Sequence, residues 1–136
     1  MATIPSIING VQVEFGPQVN NDVSMSLIAA LKHCIKPNIA PPYPLFKIYI
    51  SSEADQHVMP SRHAQHKAVD ISRINNIKIA IGYPGEAATV GIVNAIQNAF
   101  ETCPGRRENF GPHLKRKLGA SFNIAGHHDH IHLSVN

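Results

Sequence analysis

One acid in an apolar stretch constrains this chain more than any other residue. Ala68-Val69-Asp70-Ile71-Ser72-Arg73 is rich in β-formers and reads as a strand. Side chains alternate between the two faces of a strand. Val69 and Ile71 therefore share one face, and Ala68, Asp70 and Ser72 share the other. Asp is disfavoured inside strands, so Asp70 asks for a partner on its own face. The strand needs an apolar layer on one side and polar chemistry on the other.

The rest of the chain supplies such an environment. Asn9-Gly10 is a turn, with Val11, Val13 and Phe15 at alternate positions after it, so residues 7–15 suggest a hairpin arm. Asn21-Asp22 offers an N-cap for a helix over Val23 to Ile35, where Leu27, Ile28, Leu31 and Ile35 recur at helical spacing. Pro37, Pro41, Pro42 and Pro44 end that helix and stiffen the connection. Leu45 to Ser51 reads as a strand, and Ser52 to Lys67 as a polar loop. After the Asp70 strand, Asn75-Asn76 offers a tight turn and Ile77 to Ile81 a returning strand. Ala87 to Cys103 has the spacing of a long helix, which Pro104-Gly105 stops. Pro112 to Leu118 suggests a short helix, and Ile131 to Val135 a final strand. This order predicts a single α+β domain over residues 1–136, with a mainly antiparallel sheet and helices packed on one face.

Composition agrees with one globular domain. Of 136 residues, 43% are hydrophobic and 15% charged, enough apolar material for one core and too little charge for disorder. Trp is absent, so aliphatic side chains must build the interior. No stretch approaches the roughly 18 apolar residues of a membrane span, and residues 1–18 lack the basic start and apolar run of a signal peptide. The net charge of +3 favours encounter with anionic partners. The densest basic cluster, Lys115, Arg116 and Lys117 with Arg106 and Arg107, reads as a solvated face rather than a nucleic-acid arm. Cys34 and Cys103 make no disulfide framework and are expected to be free thiols.

Histidine is over-represented, with nine in the chain and four of them between His127 and His132. The run is interrupted by Asp129 and Ile131 and continues into Leu133-Ser134-Val135, so it belongs to the fold and is no tag. His33, His57 and His113 stand alone and read as surface or structural residues. In the last strand Ile131, Leu133 and Val135 share one face, and His130, His132 and Ser134 the other. If this strand lies beside the Asp70 strand, His132 and Asp70 project from the same open face. His63, from the preceding loop, can fold over it. Two imidazoles and one carboxylate suit one zinc ion per chain and leave its fourth position open, as in catalytic sites. Zinc would lower the pKa of a bound water and polarise a carbonyl, with Asp129 or His130 as the base.

Ser61-Arg62-His63-Ala64-Gln65-His66-Lys67-Ala68-Val69-Asp70 resembles the S-x-H-x-x-G-x-A-x-D motif of the zinc D-alanyl-D-alanine peptidases. That family shares a fold group with lysostaphin-type endopeptidases and the hedgehog signalling domain. Asp129-His130-Ile131-His132 resembles its second motif, which ends in a ligand His on a final strand. His127, His130 and His132 also resemble the H-x-x-H-x-H signature of related murein endopeptidases. The resemblance implies a hedgehog/DD-peptidase-like fold, with His63, Asp70 and His132 as zinc ligands. It implies Asp129 or His130 as general base, and peptidoglycan stem or cross-link peptides as substrate. Ser61 and His127 would stand beside the substrate. The motifs cover about 20 residues directly. Two positions depart from the pattern. His66 stands at the family's usual Gly, and residues 51–56 lack the Arg that commonly steadies the tetrahedral intermediate, a place left to Arg62 or Gln56.

The expected function is a zinc metallopeptidase hydrolysing peptide bonds of bacterial peptidoglycan, as a DD-carboxypeptidase or endopeptidase. A catalytic domain without a signal peptide suits a phage lysin, or a toxin delivered by another machine, made in the cytoplasm and acting on the wall or periplasm. A monomer is expected, with no nucleic-acid or membrane partner. Two rivals stand beside this reading. A non-catalytic zinc domain binding the wall or a partner protein would need the ligands without the base. A metal-dependent nuclease would prefer a site with more carboxylates.

Overall fold

The turn at Asn9-Gly10 has φ of 51° and 85°, the left-handed pair that a two-residue hairpin requires. Asn75-Asn76 does the same with 52° and 69°. These turns help fix the strand register in the computed structural model, which describes residues 1–17, 19, 21–52 and 66–136. In chain order the elements are β1 (Ala2–Thr3), β2 (Ile7–Ile8), β3 (Val11–Phe15), β4 (Asp22–Val23), α1 (Met25–Cys34), β5 (Lys47–Ser52), β6 (Ala68–Ile74) and β7 (Ile77–Lys78). They continue with α2 (Ile79–Gly82), α3 (Ala87–Phe100), β8 (Arg106–Phe110), β9 (Lys115–Lys117), β10 (Ala120–Ser121) and β11 (Ile131–Val135).

The main sheet runs β10-β9-β8-β11-β6-β5-β3-β2, with β7 beside β6. Its described pairings are antiparallel except β3 with β5, which are parallel. β1 and β4 form a separate ribbon. The fold is mixed, with a mostly antiparallel sheet and few helices. Leu27 and Leu31 of α1 and Ile92, Val93, Ile96 and Phe100 of α3 are buried in one core with Val69, Ile71, Ile131 and Leu133 of the central strands. That burial covers the apolar face anticipated for β6 and β11.

Four local readings change. Helix α1 is capped by Ser24, whose Oγ accepts from the Leu27 amide at 3.2 Å. Asp22 is used elsewhere, accepting from Thr3 Oγ1 at 2.8 Å across the β1–β4 ribbon. The return strand after Asn75-Asn76 pairs only at Ile77–Lys78, because α2 then drives Ile79 into the core. Helix α3 stops at Phe100 rather than Cys103, and its end closes with the Thr102 and Cys103 amides donating to Ala99 and Phe100 carbonyls. Residues 112–118 contain no helix. They turn β8 back into β9, held by the buried Gln97, whose Oε1 accepts from the His113 and Leu114 amides at 3.0 and 3.1 Å. A tertiary clamp outweighs the local helical pattern there. Cys34 and Cys103 are free and buried, and burial pushes the Cys34 thiol up to about 12. Among the described residues no helix is long and apolar enough to cross a membrane.

Candidate functional site

β11 lies between β6 and β8, and this position assembles the site. His132 faces Asp70 across one ladder and Phe110 across the other. Directly opposed residues share a face, so all three project together. The Asp70 Oδ1 to His132 Nδ1 distance is 2.9 Å. On its other edge the imidazole meets Glu108, with Nε2 3.0 Å from Oε1. Glu108 sits opposite Ser134, accepts from its hydroxyl at 2.9 Å, and donates its own amide to Ser134 Oγ at 3.0 Å. The carboxylate is thus held before it meets the histidine.

His132 is 8% exposed and lies between two carboxylates. Burial alone would lower its pKa, but hydrogen bonds to Asp70 and Glu108, and their charges, raise it to about 9. The same contact, chiefly the His132 hydrogen bond and against the cost of burial, pulls Glu108 down to about 2. A neutral imidazole has one N–H and cannot satisfy two anions. Either a second proton or a cation must sit on one edge. If Nε2–H is given to Glu108, the Nδ1 lone pair points to the Asp70 side. A carboxylate holding the far nitrogen of a ligand histidine is the usual outer-shell arrangement at zinc centres. Asp70 and His132 thus place one carboxylate oxygen and one imidazole nitrogen 2.9 Å apart, a donor pair that could serve a metal ion in place of the proton between them.

The remaining histidines gather around this pair. His130 Nδ1 is 2.7 Å from Asp129 Oδ1, and its Nε2 is 3.9 Å from Asp70 Oδ1. The His130 hydrogen bond holds the Asp129 carboxyl below its ordinary range. His127 lies with its ring centre 5.0 Å from His130 and 5.9 Å from His132. Burial, then the neighbouring His130, lowers its pKa, and its Nδ1 donates to the Ala125 carbonyl at 3.1 Å. Phe110 stacks on His132 at 5.6 Å and on Phe122 at 5.6 Å, making an apolar wall beside the imidazoles.

The structure thus brings together Asp70, His127, Asp129, His130 and His132. His63, Gln56, Ser61 and Arg62 lie outside the described residues, as does His57. Among the described residues no group of three or more His, Cys, Asp or Glu is arranged to hold a metal. His66 has φ of 61°, the left-handed backbone that favours glycine. Its Nδ1 hydrogen-bonds the Asp22 carbonyl at 2.8 Å. His33 bonds Thr102 and His113 bonds Asn98, away from the cluster. In β8 and β9, Arg106 faces Glu101, Lys115 donates to the Ile124 carbonyl and Lys117 lies over the Phe122 ring.

Glu108 and Phe110 were not singled out from the sequence. Their alternation between Pro104-Gly105 and Gly111-Pro112 was the available signal for a strand carrying both on one face. The chain matches no family model, no curated protein and no solved structure.

Proposed function

We propose that the protein is a zinc-dependent peptidase acting on peptide bonds of bacterial peptidoglycan. The observation that carries the reading is His132, held between Asp70 and Glu108 at 2.9 and 3.0 Å. Asp70 and His132, together with His63, would hold the ion. Bound there, zinc would supply Lewis acidity, polarising a carbonyl and making a water acidic enough to attack near neutral pH.

The chain's own residues do the rest. Glu108 fixes the tautomer and plane of His132. Asp129 orients His130 through Nδ1, which directs Nε2 towards Asp70. His130 can take a proton at Nε2 from the attacking water and return it to the departing amine. Asp129, kept ionised, stabilises the imidazolium that forms in between. The exposed ring of Phe122, stacked on the buried Phe110, offers apolar surface to a substrate side chain. Support for the family comes from the two motifs and from His66, whose backbone is left-handed where the motif has glycine.

Purified protein supplied with zinc is expected to release peptides from isolated peptidoglycan, detected by mass spectrometry. His130→Ala should lower kcat by about 10²–10⁴-fold, the usual worth of a general base, with zinc content retained. Full activity in His130→Ala and Asp129→Asn together would remove the proton relay from the account. Zinc binding with no release of wall peptides would favour the non-catalytic zinc domain instead.

A further inference from the structure

Beside the proposed metal ligands lies a hollow of about 440 Å³, lined by Tyr49, Ser51, Ser72, Arg73, Lys78 and Asp129 among others. Two irregularities in the β5–β6 ladder build it. Ile50 pairs with Ile71 while Tyr49 pairs with Arg73, so Ser72 has no partner. Ser52 pairs with Asp70, so Ser51 has none either. Bulges re-aim side chains without breaking a sheet. Here Ile71 and Ile74 both stay in the core, and Ser72 and Arg73 between them are only partly buried. The two bulged serines are both in the lining.

Charge defines what the hollow can hold. Arg73 and Lys78 are opposite one another on β6 and β7. The guanidinium lies over the Tyr49 ring at 4.4 Å, which steadies it. Among the described residues neither cation has an acidic partner. Asp129 is the acid in the lining, and it is engaged by His130. The Ser51 hydroxyl donates to the Asp70 carbonyl at 3.4 Å. Two cations without an acidic partner among the described residues, with the Ser72 hydroxyl beside them, match a carboxylate, which Arg recognises through paired N–H donors.

We propose that this hollow is the carboxylate subsite for a peptide ligand, continuous with the metal centre through Asp129 and His130. The inference rests on the peptidase reading for the ligand being a peptide, and it concerns binding rather than turnover. The carboxylate can come from the C-terminus or from an acidic side chain, and the two sources separate experimentally.

The test is binding to the full chain followed by NMR, with three probes: acetyl-D-Ala-D-Ala, its C-terminal amide, and acetyl-D-Ala-D-Glu diamide carrying one side-chain carboxylate. At least one acid should bind about tenfold more tightly than the amide, the worth of one charge-assisted hydrogen bond set. It should shift the amides of residues 49–51 and 72–78. Arg73→Gln should abolish that preference, and Arg73→Lys should restore part of it. Preference for acetyl-D-Ala-D-Ala would assign the C-terminus, and preference for the Glu probe an acidic side chain. Equal binding of acid and amide by the wild type, or shifts elsewhere, would overturn the subsite whether or not any variant folds. Acid preference without hydrolysis under zinc would overturn the peptidase and leave the subsite standing. Hydrolysis of acid and amide at equal rates and affinities would do the reverse.

Discussion

At the residue scale, Glu108 decides how His132 presents itself. The carboxylate is pre-positioned by Ser134 and occupies Nε2, so Nδ1 faces Asp70. Removing such an outer partner commonly costs 10–100-fold in metal affinity. Glu108→Ala is therefore expected to weaken zinc binding by about that factor, read by competition with a chromophoric chelator. Glu108→Gln keeps an acceptor and should recover part of the loss. Equal affinity in all three proteins would show that Glu108 does not position His132. His66 offers a second residue-scale expectation. A left-handed non-glycine residue is strained by roughly 1 kcal/mol, while its ring bonds Asp22. His66→Gly should leave thermal stability within a few degrees of wild type. A large loss would mean that the ring contact, rather than the backbone, governs this turn.

At the element scale, α3 does two jobs that differ in how visible they are in sequence. Its N-terminus is capped by Glu86, whose carboxylate accepts from the Ala88 and Thr89 amides and the Thr89 hydroxyl. The Thr89 hydroxyl, then its amide, pulls the Glu86 pKa below the ordinary glutamate value of 4.5. The cap's contribution is thus present above pH 4.5 and fades as pH falls through the lowered folded-state value. Glu86→Gln should lower Tm at pH 7, with the gap to wild type closing below pH 4.5; a gap independent of pH would contradict the assignment. The middle of α3 holds β8 and β9 through Gln97, which is fully buried and bonded to Asn109, Leu114 and the His113 amide. Gln97→Ala would strand several of these groups and should cost about 2–4 kcal/mol, lowering Tm by roughly 10 °C. The helix, the hairpin turns and the final strand were legible because periodicity and Asn-Gly or Asn-Asn pairs are local signals. β8, β9 and Glu108 were not, since a buried Gln one helix away determines that hairpin. The pairing of β6 with β11 was legible for a different reason. Asp70 and His132 are polar residues on otherwise apolar strands, and each needs the other.

At the scale of the whole molecule, α1 and α3 pack against the apolar face of the central strands, and Asp70, Glu108 and His132 lie on the opposite face. Residues far apart in sequence, from Asp70 to His132, meet because β11 inserts between β6 and β8. That face carries the histidines, the Phe110–Phe122 stack and the cationic hollow, with His132, Ser134 and Phe110 buried within it. A net charge of +3 favours approach to an anionic surface such as a bacterial wall. The proposed chemistry depends on one ion at the centre of that face, so metal content tests it most directly. Elemental analysis after zinc loading and removal of free metal should find one zinc per chain in the wild type. His132→Ala, folded by circular dichroism, should hold none. A folded wild-type protein that retains no zinc, or an His132→Ala protein that retains it fully, would contradict the account.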